Sequence, residues 1–157
     1  MSSYKTTVIW SKGSQVFTDR QYSRGHLWRF DGGVEVSASS SPSVVPLPMS
    51  VSASVNPEEA FIASLSSCHM LWFLDFACRA GHVVESYEDE AIGVMGRDAA
   101  GRTAMIKVVL HPKATFSGEK VPDLDALERL HDSAHESCFI ANSVKTEVVC
   151  EPVRSSP

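Results

Sequence analysis

The fold is decided by one long apolar segment, which begins with NPEEAFIASLSSCHM at residues 56–70 and continues to Ala80. Its first residues are typical of a helix N-terminus, because Asn56 can cap the helix and Glu59 stands where a capping box has its acid. Gly81 follows, and glycine is the residue favoured just past a helix end. The segment therefore predicts a helix that ends at about Ala80.

Alternating segments on both sides of this helix predict strands, and Pro122-Asp123 predicts the start of a second helix. The predicted strands cover residues 5–10, 26–30, 34–36, 83–97, 103–116 and 144–150, with a hairpin loop at 98–101. The order β-β-β-α-β-β-α-β indicates an α+β domain, in which a largely antiparallel sheet packs on two helices.

Length and composition indicate one globular domain over residues 1–157, with a disordered tail at 153–157. The net charge is −5 and no cluster of Lys and Arg stands out, so nucleic acid is not an expected partner. No signal-like N-terminus is present, and polar residues interrupt the apolar segment at 60–80, so we expect a cytoplasmic protein with a core helix rather than a membrane span.

Residues 37–55 are rich in Ser and Pro and predict a long loop, which is either mobile or functional.

Four cysteines are present, at positions 68, 78, 138 and 150, and no two of them form a CxxC motif. Small polar neighbours leave room for a substrate beside Cys68, which lies in the middle of the predicted helix. Cys138 ends the second helix, where we expect it to be more accessible. We expect Cys78 and Cys150 to be packing residues, and packing is an equally good interpretation of any one cysteine taken alone.

A zinc site is a second interpretation of the same region. His131, His135 and Cys138 are spaced i, i+4 and i+7, so they share one face of the second helix. Imidazole and thiolate are suitable zinc ligands, although the set provides three at most.

The motif at 56–70, followed by His-Glu-Ser-Cys at 135–138, resembles the OsmC/Ohr family over nearly the whole chain, and it is closer to the OsmC-like branch. The resemblance implies an intertwined homodimer whose two central helices are buried between subunits. It also implies a thiol-dependent peroxidase that acts on organic hydroperoxides or hydrogen peroxide in oxidative stress defence. A non-catalytic protein of the same fold, which binds a small apolar ligand, is the alternative.

The resemblance assigns the roles of the two cysteines. Cys68 matches the peroxidatic cysteine, which becomes a sulfenic acid, and Cys138 matches the resolving cysteine, which forms a disulfide with it. An external dithiol, for example one of the lipoyl type, would then reduce the disulfide. No cofactor is implied.

The resemblance also implies an arginine that activates the thiolate and a glutamate that positions the arginine. Glu58 matches the glutamate by position, and Arg24 is our choice for the arginine, with Arg20 and Arg29 as alternatives. Glu58 and Cys68 are ten residues apart on one helix, hence about 15 Å along its axis. We therefore expect Glu58 to serve the Cys68 of the partner subunit.

Overall fold

A computed structural model describes residues 1–153. The chain is of the α+β class, as predicted, with two α-helices, one short 3-10 helix and eight strands in the described part. It divides into two compact units, Met1–Ala60 and the residues from Phe61 onward. The single domain expected from the length stays a prediction. Of the predicted tail only Val153 is described, and its backbone N–H donates to the carbonyl oxygen of Pro112 at 2.9 Å.

The first unit contains an antiparallel meander, formed by the three strands predicted before the long helix. Strands β1 (Thr6–Ile9), β2 (His26–Phe30) and β3 (Glu35–Ala38) form one sheet in that order. The turn between β2 and β3 depends on Gly33, which has φ +87° and donates its backbone N–H to Phe30 at 3.0 Å. Glycine is favoured there because other residues rarely adopt a positive φ.

The Ser/Pro segment is a loop, as predicted, and it is anchored at both ends. The backbone N–H of Ser39 donates to Val55 at 3.0 Å, and that of Val55 donates to Ser37 at 3.1 Å. The hydroxyl of Ser39, which is fully buried, accepts from the backbone N–H of Val51 at 2.9 Å. Because its backbone groups have partners, this loop has a fixed path across the first unit.

Helix α1 covers Pro57–Arg79, and its predicted capping box is confirmed. The Asn56 side chain accepts a hydrogen bond from the backbone N–H of Glu59 at 2.8 Å. In return, the Glu59 carboxylate accepts one from the backbone N–H of Asn56 at 3.2 Å. Gly81 ends the helix with φ +80°. The buried residues of α1 recur at every fourth position, which makes one narrow stripe: Leu65, His69, Phe73 and Ala77.

The two long strands expected after α1 are each broken in the middle. Residues 83–97 form β4 (Val83–Asp89) and β5 (Ile92–Arg97), and residues 103–116 form β6 (Thr103–Leu110) and β7 (Pro112–Ser117). Strand β4 pairs with β7, and β5 pairs with β6, so one bent hairpin contributes to two sheets. At the bend, the Asp89 carboxylate accepts from the backbone N–H of His111 at 2.6 Å. Pro112 lacks a donor and follows directly, which favours the break.

Helix α2 (Leu124–Ser137) and strand β8 (Glu147–Cys150) complete the second unit. Asp123 caps α2 by accepting from the backbone N–H of Ala126 at 2.8 Å. Strand β8 runs parallel to β6. The strands of the described chain form three small sheets, whereas one largely antiparallel sheet was predicted. Phe73 and Ala77 of α1 pack against Leu130 and Ala134 of α2 in the core.

Within residues 1–153, α1 is the single helix that is long and apolar enough to cross a membrane. Core helices of globular proteins meet the same criteria, so this observation is weak evidence for a membrane span. Buried stripe residues of α1 contribute to both hydrophobic clusters of the second unit, and 22% of the most apolar window of the helix is buried.

Candidate active site

The two cysteines singled out by the sequence are neighbours in the structure. Cys68 lies on α1, Cys138 is the C-terminal cap of α2, and both are free thiols. Burial raises the pKa of the Cys138 thiol, and the nearby Cys68 thiol raises it further. Two helices distant in sequence therefore bring one pair of thiols together.

The accessibility expected for the two cysteines was wrong. Cys138 is only 1% exposed, whereas Cys68 in the middle of a helix is partly exposed. The chain folds back over Cys138, since the backbone N–H of Ala141 donates to its sulfur at 3.4 Å. Burial, with a further contribution from Cys68, raises the pKa of Cys138 to about 11. At neutral pH Cys138 is therefore a protonated thiol.

Two of the three candidate arginines, Arg24 and Arg29, differ in how their side chains are held within the first unit. The Arg24 guanidinium donates to the carbonyl oxygens of Arg20, at 2.9 Å, and of Tyr22, and it lies 3.8 Å from the centre of the Tyr22 ring. Arg29 forms an ion pair with Glu35 at 2.6 Å across β2 and β3. Arg29 thus already has a carboxylate partner, whereas the contacts of Arg24 are to neutral groups.

Glu58 has an unsatisfied carboxylate oxygen. Its Oε2 atom is buried and has no hydrogen-bond partner in the described part of the chain. Arg24 and Glu58 do not form an ion pair there. A buried carboxylate oxygen without a donor is costly, and this oxygen is free to accept a hydrogen bond.

A second cluster of reactive side chains lies in the core of the second unit. His69 Nε2 is 3.0 Å from His131 Nδ1, and Cys150 Sγ is 3.7 Å from His69 Nε2. Both histidines are almost fully buried, and burial lowers the pKa of each to about 4. The zinc set predicted from α2 is therefore corrected: within the described residues His131 meets His69 and Cys150, and His135 and Cys138 are not part of this group.

Comparison with known proteins agrees with this architecture. A family model described as OsmC-like protein matches residues 51–152. The chain belongs to the OsmC-like family.

Solved structures extend the likeness over almost the entire chain. An OsmC-like protein of unknown function from Vibrio cholerae shares 55% identity, with 98% of this chain and 100% of that chain covered and a TM-score of 0.96. Among curated proteins, no match was found.

Two more distant structures share the fold alone. The organic hydroperoxide resistance protein OhrB of Bacillus subtilis has 18% identity and a TM-score of 0.69, covering 97% of this chain and 98% of its own. An organic hydroperoxide resistance protein from Elizabethkingia anophelis has 17% identity and a TM-score of 0.68, covering 97% of this chain and 94% of its own.

The His69 cluster was missed by reasoning from the sequence of this OsmC-like protein, although a signal was present. His69 stands between Leu65 and Phe73 at a spacing of four, on the stripe that α1 buries. Cys150 was expected to be a packing residue, and its partner His69 lies 81 positions away in the sequence. The spacing of His131, His135 and Cys138 on α2 therefore identified only one of the three members of the cluster, His131.

Proposed function

We propose that this OsmC-like protein is a cysteine-based, thiol-dependent peroxidase that reduces organic hydroperoxides or hydrogen peroxide. The observation that supports the proposal best is the pair of adjacent free thiols, Cys68 and Cys138. Two proteins that share its fold are named organic hydroperoxide resistance proteins, which favours the same substrate class. Such an activity serves oxidative stress defence, and we place it in the cytoplasm, where thiols are kept reduced.

In the proposed reaction, Cys68 is the nucleophile. Its thiolate attacks the outer oxygen of the hydroperoxide, the O–O bond breaks, and the leaving alkoxide takes up a proton to become an alcohol. The sulfur of Cys68 is then oxidised to a sulfenic acid. Cys138 attacks that sulfur, water leaves, and a Cys68–Cys138 disulfide forms. An external dithiol, for example one of the lipoyl type, supplies the two electrons that restore both thiols.

The raised pKa of Cys138 supports this division of roles. A thiol with a pKa of about 11 keeps its proton at neutral pH, so Cys138 is a poor first nucleophile. Its role is instead to react after Cys68 has been oxidised. After oxidation, the sulfenic acid presents an electrophilic sulfur to the same neighbour.

We propose that Arg24 stabilises the Cys68 thiolate and the developing charge on the peroxide oxygen. A guanidinium favours a nearby thiolate and is always charged. Glu58 is proposed as the residue that positions Arg24, in a site completed by the partner subunit of a homodimer. The unsatisfied Oε2 of Glu58 supports this proposal, since it can accept from a guanidinium donor.

A peroxidase assay with matched variants tests the proposal. The purified protein should consume an organic hydroperoxide with a dithiol as electron donor, and Cys68→Ser should abolish the reaction. Cys78→Ser is the control, because Cys78 is an exposed cysteine on the same helix. Full activity in Cys68→Ser would refute the proposal. Inert cysteines together with a co-purified apolar molecule would favour the non-catalytic alternative.

Two further variants test the assigned roles. Cys138→Ser should still react once with peroxide, and Cys68 should then accumulate as a sulfenic acid that a dimedone-type reagent traps. Arg24→Gln should slow peroxide consumption by roughly 100-fold, the size expected for losing one donor that stabilises developing charge. Arg29→Gln, which loses only the ion pair with Glu35, is its control. Equal effects of the two arginine variants would contradict the choice of Arg24.

A further inference from the structure

Three side chains with strong metal-ligating atoms converge in the core, each from a different element. His69 comes from α1, His131 from α2 and Cys150 from the end of β8. Their ligand atoms all lie within 4.8 Å of one another. In the described part of the chain, this is the single group of three or more His, Cys, Asp or Glu side chains placed closely enough to share an ion.

The spacing of the ligand atoms suits a small transition-metal ion. Zinc bonds nitrogen at roughly 2.0–2.1 Å and sulfur at about 2.3 Å, so a tetrahedral ion separates two nitrogens by roughly 3.3 Å and a nitrogen from a sulfur by roughly 3.6 Å. The observed separations are 3.0 Å between the imidazole nitrogens and 3.7 Å between His69 Nε2 and the Cys150 sulfur. The three ligand atoms lie within 4.8 Å of one another, so His131 and Cys150 would have to approach each other by up to about 1.2 Å for one ion to bind all three.

The surroundings of the cluster also suit a cation. Neutral imidazole is the form that binds metals, and burial keeps His69 and His131 neutral at pH 7. Burial raises the pKa of Cys150 to about 12, and the carboxylates of Asp89 and Asp132 contribute to the same shift. A divalent cation would reverse this effect, because it deprotonates a thiol that it binds and offsets the nearby negative charges.

The stacked histidines are held in place by packing on two sides. The His131 ring lies parallel to that of His69, with 5.3 Å between ring centres, and it stacks on Phe73 at 4.4 Å. The facing nitrogens of the two rings are 3.0 Å apart as a hydrogen-bonded pair, so binding an ion would require the imidazoles to rotate until both nitrogens point towards it.

We propose that His69, His131 and Cys150 form a binding site for one zinc ion, with a fourth position that a solvent molecule occupies. The choice of zinc follows from the ligand set, two imidazoles and one thiolate, which is of the mixed nitrogen and sulfur type that zinc binds. The site is distinct from the Cys68–Cys138 pair, so it goes beyond the proposed peroxidase and can fail independently of it.

The first test uses the whole protein with its other thiols removed. Replacing Cys68, Cys78 and Cys138 by serine leaves Cys150 as the sole remaining cysteine of the four. This variant, reduced and freed of metal by a chelator, should bind one zinc ion per chain by calorimetry. With cobalt(II) as the spectroscopic probe, it should show a thiolate-to-cobalt charge-transfer band in the near ultraviolet. Absence of that band would overturn the proposal, and the three residues would then be a hydrogen-bonded core triad only.

The second test removes ligands one at a time from the natural chain. Cys150→Ser and His131→Gln should each lower the affinity for zinc by more than about 100-fold. Replacing a residue that only supports a metal ligand already lowers metal affinity by about 10–100-fold, and loss of a ligand itself should cost more. His135→Gln is the matched control, since His135 lies one turn further along α2 and outside the cluster. Binding that survives both ligand variants, or that is lost only on replacing Cys68 or Cys138, would contradict the assignment. Circular dichroism confirms that each variant is folded.

Discussion

At the residue scale, the buried thiol of Cys138 gives the clearest chemical expectation. Because its pKa is about 11, alkylation of Cys138 by iodoacetamide should be slow at pH 7.5, and it should accelerate as the pH rises from 9 towards 11. Exposed Cys78 should react far faster at pH 7.5. Peptide mass spectrometry after timed quenching measures both rates in one sample. Equal rates at neutral pH would contradict the assignment of Cys138 as a protonated, buried resolver.

The same shift has a consequence for stability. A thiol whose pKa is higher in the folded state than in the unfolded state stabilises the folded state at any pH below its unfolded-state pKa. This contribution is lost as the pH rises through the folded-state pKa. Cys138 should therefore contribute to alkaline unfolding between about pH 9 and pH 11. The Cys138→Ser variant should lose that part of the pH dependence.

Individual residues were predictable from the sequence where a local motif determined their environment. Cys68 and Cys138 were identified through the motif that resembles the family, and they are neighbours in the structure. The burial of Cys138 was not predictable, because it depends on the turn after α2 that directs the Ala141 N–H to the sulfur. The triad with Cys150 was not predictable either, since it requires three elements to pack together.

At the element scale, the N-terminus of α1 allows a quantitative prediction. Asn56→Ala removes the acceptor for the Glu59 N–H, and loss of such a cap costs about 1 kcal/mol of stability. For a chain of this length that corresponds to a lowering of Tm by roughly 2–4 °C. Asn56→Asp keeps the acceptor and is the control. Thermal unfolding followed by circular dichroism gives both values, and unchanged stability in Asn56→Ala would contradict a role for the cap.

The boundaries of α1 were predictable because they are local: the capping box and Gly81 act within a few residues of the helix ends. The breaks in the long hairpin were not predictable, because the apolar alternation in the first half of residues 83–97 continues in the second half. The break there depends on Asp89, whose carboxylate takes up the backbone N–H of His111 from the opposite strand. The parallel pairing of β8 with β6 is likewise a long-range feature.

At the scale of the whole molecule, exposed apolar side chains favour the homodimer that the family resemblance implies. Leu71 on α1 is 63% exposed, Leu124 at the start of α2 is 60% exposed, and Phe139 next to Cys138 is 66% exposed. Burying such side chains against a second subunit would be favourable, because it removes apolar surface from water. We therefore expect light scattering to give twice the 17.1 kDa mass of one chain.

A dimer also allows a test of whether a site is shared between subunits. Cys68→Ser and Glu58→Gln should each be inactive or strongly impaired as homodimers. If Glu58 of one subunit serves Cys68 of the other, a mixed dimer contains one site with both residues intact. After subunit exchange at equal concentrations, about half of the dimers are mixed, so the activity should recover to roughly a quarter of the wild-type value.

If both residues serve a site within one chain, every site in the mixed dimer carries one defect. Activity no greater than the average of the two separate variants would then contradict the shared site, and native mass spectrometry of the mixture establishes that exchange took place.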